Sequence, residues 1–308
     1  MRKTQRRQER VQWRNLTGIV LLDKPQGLSS NAALQVVRRL FRAAKGGHTG
    51  SLDPLATGLL PICFGEATKI AGLLLGASKA YRVEAALGVE TDTADAQGSI
   101  TREREVGDYD AATIDAALPV FRGRIAQVPP IYSALKRDGE PLYKLARRGE
   151  TVEIAAREVE VTRFELLQRR ENRLELLVEC GSGTYVRSLV RDLGERLGCG
   201  AHVSMLRRLW VDPFGDPAMV TLEQIEMAAR EGLGALDVLV LPMSAGLVGY
   251  PSFVLAAADA GRLRQGQAIN VSASPGPHLA CDVGGQPLAL VEVGTDGVMR
   301  CVRGFNPD

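Results

Sequence analysis

The apolar residues of this chain follow two patterns, short runs that favour strands and i, i+3, i+4 spacings that favour helices. Residues 18–23 and 59–64 are almost wholly apolar, which is typical of buried strands, and residues 81–89 alternate between apolar and polar side chains. Residues 91–98 are predicted to form an acidic loop. Helices are predicted after the capping residue Ser29 or Ser30 and over 66–75, 111–121, 141–149, 184–197 and 221–230, and further strands over 159–167, 174–179 and 203–211.

The order of these elements indicates the fold class. They do not repeat a regular strand–helix–strand unit, so the pattern favours an α+β fold with a mixed, largely antiparallel sheet. After residue 250 lysine is absent, glycine recurs, and short apolar runs at 288–291 and 298–302 alternate with turns, which is typical of a small β-barrel. The sequence therefore predicts a tail over residues 1–14, a large domain over 15–248 and a small β domain over 249–308.

Composition and charge narrow the function classes. A chain of 308 residues with 45% hydrophobic residues can form a large domain and a smaller one. Residues 1–14 hold six basic residues and one acidic residue, so this tail either attracts nucleic acid or is a solvated chain end. No run of about 18 apolar residues is present, so no membrane span is expected. The polar N-terminus also lacks the apolar segment of a secretory signal.

Cysteine and histidine usage argues against metal and disulfide chemistry. The five cysteines include no Cys-x-x-Cys pair, and the three histidines are far apart in the sequence. Neither a zinc site nor a disulfide framework is therefore predicted. Unpaired cysteines fit the reducing cytoplasm.

The loop GHTGSLDPLATGLLP, residues 47–61, is the strongest indication of chemistry. It presents a single carboxylate, Asp53, and Pro54 biases that residue towards an extended backbone. Its three glycines let the chain turn sharply or approach a ligand closely. A rigid loop that presents one aspartate suits a nucleophile or a general base, although an isolated Asp-Pro pair more often forms an ordinary turn.

Residues 47–61 resemble the catalytic motif of the TruB family, the tRNA pseudouridine-55 synthases. Four further segments resemble motifs of this family, and the resemblance runs in the family's order along residues 17–215. The resemblance implies a pseudouridine synthase catalytic domain followed by a small, PUA-like RNA-binding β-barrel. The four segments are LLDKPQGLSS (21–30), KAYR (79–82), QVPPIYSALK (127–136) and GTYVRSL (183–189).

The resemblance also implies roles for single residues. Asp53 is the expected catalytic carboxylate, and Arg187 is the guanidinium that orients it. Tyr81 is an expected catalytic aromatic, which stacks on the uracil or assists removal of the C5 proton. The expected substrate-binding residues are His48, Tyr81, Tyr185 and Leu206, with Lys24 and Lys69 as phosphate contacts.

The implied reaction breaks the N1–C1′ bond of a uridine, turns the uracil and rejoins it through C5. It involves no redox change and no group donor, so no cofactor and no metal are expected. The expected partner is tRNA through its T arm and T loop, with the target base extruded and without a guide RNA. The protein is expected to be a cytoplasmic monomer. Asp53 can add to C1′, add to C6 or abstract a ribose proton on a glycal route, and the sequence does not choose among these.

Two other functions fit parts of the pattern. A guide-RNA-dependent synthase of the dyskerin type shares the catalytic motif, and activity on bare tRNA separates the two enzymes. An RNA-folding module with a vestigial site belongs to a different class. The intact set of Asp53, Tyr81 and Arg187 argues against RNA folding as the sole function.

Overall fold

The computed structural model describes residues 12–306, except residues 134, 138, 142–144, 146–147 and 149–153. The predicted tail over 1–14 and the predicted helix over 141–149 therefore lie largely outside the described residues. The rest of the chain has the expected α+β architecture, with one large sheet, a helical layer and a second sheet near the C-terminus.

The bounds of the regular elements follow the apolar pattern closely. The described helices are α1 (Ser30–Leu40), α2 (Ala71–Gly76), α3 (Ala111–Ala117), α4 (Val186–Leu197), α5 (Leu222–Glu231), α6 (Leu233–Asp237) and α7 (Ala257–Arg264), with 3₁₀ turns at Gly65–Lys69, Pro119–Phe121 and Met243–Gly246. The described strands are β1 (Gly18–Lys24), β2 (Gly46–His48), β3 (Thr57–Phe64), β4 (Lys79–Leu87), β5 (Val89–Thr91), β6 (Ile100–Glu103), β7 (Gly123–Gln127), β8 (Lys136–Arg137), β9 (Glu140–Pro141), β10 (Arg157–Arg170), β11 (Arg173–Cys180), β12 (Ala201–Val211), β13 (Ser252–Val254), β14 (Ile269–Asn270), β15 (Gly276–Cys281), β16 (Pro287–Val293) and β17 (Val298–Gly304).

The large sheet has the strand order β1-β3-β12-β4-β11-β10-β7, and β2 pairs with β3 beside this path. Its strand pairs are antiparallel except for β12 with β3, which confirms the mixed, largely antiparallel prediction. The second sheet has the order β13-β15-β16-β17-β14 and curls into a half-barrel, in agreement with the predicted C-terminal β fold.

Strand β1 shows why its sequence is a continuous apolar run. Val20 and Leu22 point into the core formed with the helices, whereas Ile19 and Leu21 point into a second core on the opposite face. The second core includes Leu279 and other side chains of the C-terminal sheet, so β1 is buried on both faces. In the part of the chain that the structure describes, no helix is both long and apolar enough to span a membrane.

Capping residues confirm the predicted starts of two helices, and a proline explains why the predicted end of a third helix is wrong. Ser29 accepts a hydrogen bond from the amide of Ala32 and caps α1, and Thr221 forms a capping box at the start of α5. The helix predicted over 111–121 ends at Ala117, because Pro119 has no amide hydrogen with which to continue it.

The helix predicted over 66–75 is also divided. Its first half is a 3₁₀ turn, in which the Thr68 hydroxyl donates to the Gly65 carbonyl at 2.7 Å, and α2 begins only at Ala71. The hydroxyl occupies a carbonyl that a regular helix would offer to a later amide. The strand predicted over 81–89 ends at Leu87, because Gly88 takes a positive φ of 89°.

Lys79, the first residue of β4, is a buried cation. Its residue is 6% exposed, and its ammonium donates to the carbonyls of Leu75 and Ala77. Burial, assisted by the nearby charge of Arg208, lowers the pKa of Lys79 to about 8. The unfolded chain therefore binds a proton at Lys79 that the folded chain releases between this pKa and the ordinary lysine value of about 10.4.

We expect the free energy of unfolding of the wild type to rise with pH across this window, relative to that of Lys79→Met. Urea unfolding of both proteins at pH 7.5 and pH 10 measures the difference. Methionine keeps most of the side-chain volume and cannot titrate, so groups common to both proteins cancel. An equal change in unfolding free energy for both proteins would contradict the buried, titrating Lys79.

Candidate active site

The loop that presents Asp53 is held at both ends by backbone contacts. The buried hydroxyl of Ser30 accepts a hydrogen bond from the Leu52 amide at 2.6 Å and donates to the Leu52 carbonyl at 3.0 Å. The Gly27 amide donates to the Pro54 carbonyl at 2.7 Å, so the turn after β1 also supports the loop. Asp53 therefore lies between two anchored residues, as a fixed functional group requires.

Gly58 lets this loop enter the sheet. Its φ is +94°, and a Cβ atom at this position would lie 2.1 Å from the backbone oxygen of Arg208. A side chain here would therefore clash with backbone and strain its own residue. The sequence predicts that glycines in this loop allow a sharp turn or a close approach to a ligand, and at Gly58 the close neighbour is the backbone of strand β12.

Asp53 and Arg187 form an ion pair, as the sequence predicts. Arg187 Nε lies 2.9 Å from Asp53 Oδ2. The other guanidinium nitrogens donate to the carbonyls of Thr93 at 2.8 Å and Tyr132 at 2.9 Å, and Nη1 lies 3.7 Å from Asp95 Oδ2. The guanidinium plane is thus fixed by three separate segments of the chain.

The two members of this pair differ in their access to solvent. The Arg187 side chain is 6% exposed, whereas 41% of the Asp53 side chain is exposed. Loss of water on the side that faces the protein raises the pKa of Asp53, and the Arg187 guanidinium opposes that rise. The Asp53 carboxylate is therefore open to solvent, while the guanidinium that pairs with it is buried in the protein.

The N-terminus of α4 carries Arg187 and Tyr185. Gln127, at the end of β7, makes two hydrogen bonds to the Tyr185 backbone. Its side-chain oxygen accepts from the Tyr185 amide at 2.8 Å, and its side-chain nitrogen donates to the Tyr185 carbonyl at 3.1 Å. Ser188 donates to the Val128 carbonyl at 2.9 Å and ties the same turn to the same segment. Tyr185 is half-buried, and its pKa is raised by burial, with the charges of Arg187 and Asp53 nearby.

Tyr81 and Leu206 lie on the adjacent strands β4 and β12. Tyr81 is 8% exposed and Leu206 is 6% exposed, and both belong to the core formed with the helices. Burial raises the pKa of the Tyr81 phenol, and the Arg208 guanidinium opposes that rise. The charge of Asp53 acts on the same phenol, so Tyr81 lies near the Asp53 loop.

His48 ends strand β2, five residues before Asp53. Its Nδ1 is buried without a hydrogen-bond partner among the described residues. Burial lowers the pKa of His48, and the nearby charge of Arg208 adds to the effect, so the imidazole is neutral at pH 7.

Lys24 and Lys69, the predicted phosphate contacts, both have protein oxygens as partners. Lys24 is fully buried, and its ammonium donates to the carbonyls of Pro25 at 2.9 Å and Leu28 at 2.7 Å. Lys69 lies 2.5 Å from Glu66 Oε2 and donates to the Gly304 carbonyl of β17 at 2.9 Å. Both ammonium groups are thus bound to protein oxygens, and Lys69 joins the 3₁₀ turn after β3 to strand β17 of the C-terminal sheet.

The sequence does not predict the groups that contact the Arg187 guanidinium in addition to Asp53. Asp95 is 4% exposed and belongs to the predicted acidic loop, where a carboxylate among small residues was the available signal. Thr93 and Tyr132 contribute only their carbonyls, and no side-chain pattern reveals such a contact. The sequence predicts Ser30 only as a possible helix cap, whereas its hydroxyl anchors the Asp53 loop.

The arrangement offers one accessible carboxylate held by a guanidinium, with aromatic and apolar side chains beside it. Such a carboxylate can act as a nucleophile or as a proton acceptor. Among the described residues, no group of three or more His, Cys, Asp and Glu side chains is placed to hold a metal ion.

Comparison with protein families and relatives gives a consistent match. The TruB family pseudouridylate synthase (N terminal domain) model matches residues 38–186, and the tRNA pseudouridylate synthase B C-terminal domain model matches residues 187–248. A protein named tRNA pseudouridine synthase B from Xanthomonas oryzae pv. oryzae is 58% identical over 298 residues, 96% of each chain. Its namesake from Pseudomonas fluorescens is 50% identical over 287 residues, 92% of this chain and 94% of that protein.

Solved structures share the fold at lower identity. A chain in "Crystal Structure of a Cbf5-Nop10-Gar1 Complex" has a TM-score of 0.70 and 24% identity, over 90% of this chain and 78% of that chain. A chain in "Structure of H/ACA RNP bound to a substrate RNA containing 2'-deoxyuridine" has a TM-score of 0.72 and 21% identity, over 94% of this chain and 86% of that chain. This likeness shows a common fold.

We expect Ser30→Ala to weaken the anchor of the Asp53 loop. It leaves the Leu52 amide buried without its partner, which costs about 1–3 kcal/mol of unfolding free energy. Ser29→Ala is the matched control, because it removes the cap of the same helix and leaves the loop contacts intact. Hydrogen exchange at the Leu52 amide should accelerate only in Ser30→Ala. Equal exchange at Leu52 in both variants would contradict the anchor.

Proposed function

The chain belongs to the TruB family of pseudouridylate synthases, and we propose that it isomerises uridine 55 in the T loop of tRNA to pseudouridine. The relatives at 50% to 58% identity, each named tRNA pseudouridine synthase B, support tRNA as the substrate. The observation that carries the proposal is the pair of Asp53 and Arg187, in which an accessible carboxylate is fixed by a buried guanidinium.

Asp53 supplies the negative charge that the reaction requires. Isomerisation breaks the bond between N1 and C1′, turns the uracil and forms a bond from C5 to C1′, so the atoms of substrate and product are the same. An ionised Asp53 can add to C1′, add to C6 or remove a ribose proton, and each role needs a carboxylate that is open to the substrate. The 41% exposure of its side chain fits that need.

Arg187 keeps the carboxylate ionised and in one orientation. Its contacts with the Thr93 and Tyr132 carbonyls hold the guanidinium plane, so Nε meets Asp53 from a fixed direction. A lysine at this position would keep the charge and lose the planar set of donors. Arg187 therefore acts on catalysis through the position and the pKa of Asp53.

The target uridine must leave the stacked loop before Asp53 can reach it. We propose that the Tyr81 ring stacks on the extruded uracil and that its hydroxyl assists removal of the C5 proton. Tyr185 and Leu206 pack around the base, and the half-buried His48 ring, which lies five residues before Asp53, contacts the RNA near the extruded nucleotide. Recognition then depends on RNA shape and loop bases more than on duplex sequence.

The proposal divides the chain by role. Residues 15–248 form the catalytic domain and residues 249–308 an RNA-binding β domain, while the basic tail over 1–14 attracts the phosphate backbone. Guide-RNA independence, a monomeric state and a cytoplasmic location remain predictions. Lys24 and Lys69 are left out of the RNA contacts, because protein oxygens occupy their ammonium groups.

Incubation with an unmodified tRNA transcript tests this function directly. We expect the wild type to form pseudouridine at position 55 without a guide RNA. Asp53→Asn keeps the shape of the side chain and removes its charge, so turnover should be lost while the Kd for tRNA stays within about threefold, since binding is spread over many contacts. Product mapping and filter binding give the two measurements.

The matched control is Asp192→Asn, which removes the carboxylate of an α4 residue whose ion pair, among the described residues, is with Arg191. We expect its turnover to match that of the wild type. Substantial turnover by Asp53→Asn, modification at another uridine or a requirement for a guide RNA would each overturn the proposal.

A further inference from the structure

Arg208 is a buried arginine to which the proposed mechanism gives no role. It lies on β12 and is 1% exposed. None of the ion pairs among the described residues involves Arg208, whereas Arg187 and Arg207 each pair with a carboxylate. Burial of a charge without a counter-ion lowers stability, so this position calls for a role beyond packing.

The partners of Arg208 lie on both sides of the Asp53 loop. Its Nε donates to the Leu59 carbonyl at 2.7 Å, and its Nη2 donates to the Gly50 carbonyl at 3.2 Å. Gly50 precedes Asp53 by three residues, and Leu59 follows it by six. The guanidinium therefore bridges the two arms of the loop across its base.

This bridge lies where backbone pairing across the loop ends. The Thr49 amide donates to the Pro61 carbonyl at 3.3 Å, beside the ladder between β2 and β3. Among the described residues, no backbone hydrogen bond continues this pairing from Gly50 to Leu59. The Arg208 side chain thus supplies the next connection between the two arms.

The backbone of Arg208 contacts the same loop. Arg208 pairs with Gly58 in the parallel contact between β12 and β3, where a Cβ atom on Gly58 would lie 2.1 Å from the Arg208 oxygen. A Cβ atom on Gly50 would lie 3.7 Å from Arg208 Nη1. One residue of a central strand therefore contacts both arms of the loop.

An arginine suits this bridge better than a lysine. Nε and Nη2 belong to one rigid plane, so the two donors keep a fixed separation and direction. A lysine ammonium is a point charge on a flexible stem and would not fix two carbonyls relative to each other. The carbonyls of Gly50 and Leu59 in turn determine where the loop places Asp53.

We propose that Arg208 is a positioning residue for Asp53. It holds the Gly50 and Leu59 carbonyls with one guanidinium and thereby keeps the Asp53 carboxylate beside Arg187. The consequence for catalysis rests on the proposed function, in which Asp53 is the reacting carboxylate.

The first test uses the protein without RNA and measures the pKa of Asp53. In protein labelled with carboxyl-¹³C aspartate, the resonance lost in Asp53→Asn belongs to Asp53. Arg208→Lys keeps the positive charge, so a change in this pKa reports the position of the carboxylate. We expect the pKa to rise by about 0.5 or more, because the displaced carboxylate loses part of its pairing with Arg187. The other charged groups that act on Asp53, Asp95 and Lys24, are the same in both proteins.

Arg122→Lys is the matched control. Arg122 also donates from Nε and Nη2 to a backbone carbonyl, that of Phe164, at 3.0 Å and 2.8 Å. Phe164 lies on β10, three strands from β12 in the large sheet, so the pKa of Asp53 should equal that of the wild type.

Two results of this titration would overturn the proposal. One is a pKa of Asp53 in Arg208→Lys that is at or below the wild-type value, and the other is an equal rise in Arg122→Lys. The titration does not involve tRNA, so it decides the role of Arg208 whether or not the chain isomerises uridine.

The second test measures turnover on tRNA. We expect Arg208→Lys to lower kcat by about tenfold or more with KM within about threefold, because the carboxylate is misplaced while the binding surface is kept. Arg122→Lys should retain wild-type kcat. A loss confined to KM would assign Arg208 to RNA binding and overturn the positioning role.

A crystal structure of the wild type covers the case in which Arg208→Lys does not fold. It should place Arg208 Nε and Nη2 within hydrogen-bond distance of the Leu59 and Gly50 carbonyl oxygens. A separation beyond about 3.5 Å from either oxygen would overturn the proposal without any variant.

Discussion

Arg187 is 5% exposed, so its guanidinium must find oxygen partners inside the protein. This requirement organises the candidate active site. Three chain segments supply those oxygens: the Asp53 loop, the loop at Thr93 and the extended segment at Tyr132. The segments are far apart in sequence: the Asp53 loop precedes β3, Thr93 follows β5 and Tyr132 follows β7. The site therefore depends on contacts between distant parts of the chain.

The same arrangement explains how a carboxylate stays accessible to solvent at the edge of a core. Hydrogen bonds to the two residues that flank Asp53 fix its backbone, since Ser30 binds Leu52 and Gly27 binds Pro54. Its charge is stabilised from one side by Arg187, while its other side remains open. A second buried cation, Arg208, ties both sides of this loop to strand β12. Most hydrogen bonds of the Arg187 and Arg208 guanidinium groups are donated to backbone carbonyls rather than to carboxylates.

The sequence predicts much of this structure because its local signals agree with the fold. The apolar run of β1, the Ser29 cap and the capping box at Thr221 are local, and each lies where expected. The pair of Asp53 and Arg187 follows from a family resemblance, since a separation of over a hundred residues leaves no periodic signal. Contacts through backbone oxygens, such as that of Tyr132, are invisible to side-chain patterns. Burial is equally hidden from residue type, because Lys24 is a lysine that is fully buried.

The most direct test of the account is the pH dependence of single-turnover pseudouridine formation by the wild type and Arg187→Lys. Burial raises the pKa of Asp53 and Arg187 lowers it, so the wild-type rate should fall as acid protonates Asp53. Loss of the planar donor set should move this acid limb to higher pH and lower the plateau, with the Kd for tRNA within about threefold. An acid limb and a plateau equal to those of the wild type would contradict the claim that Arg187 holds Asp53 ionised and in place.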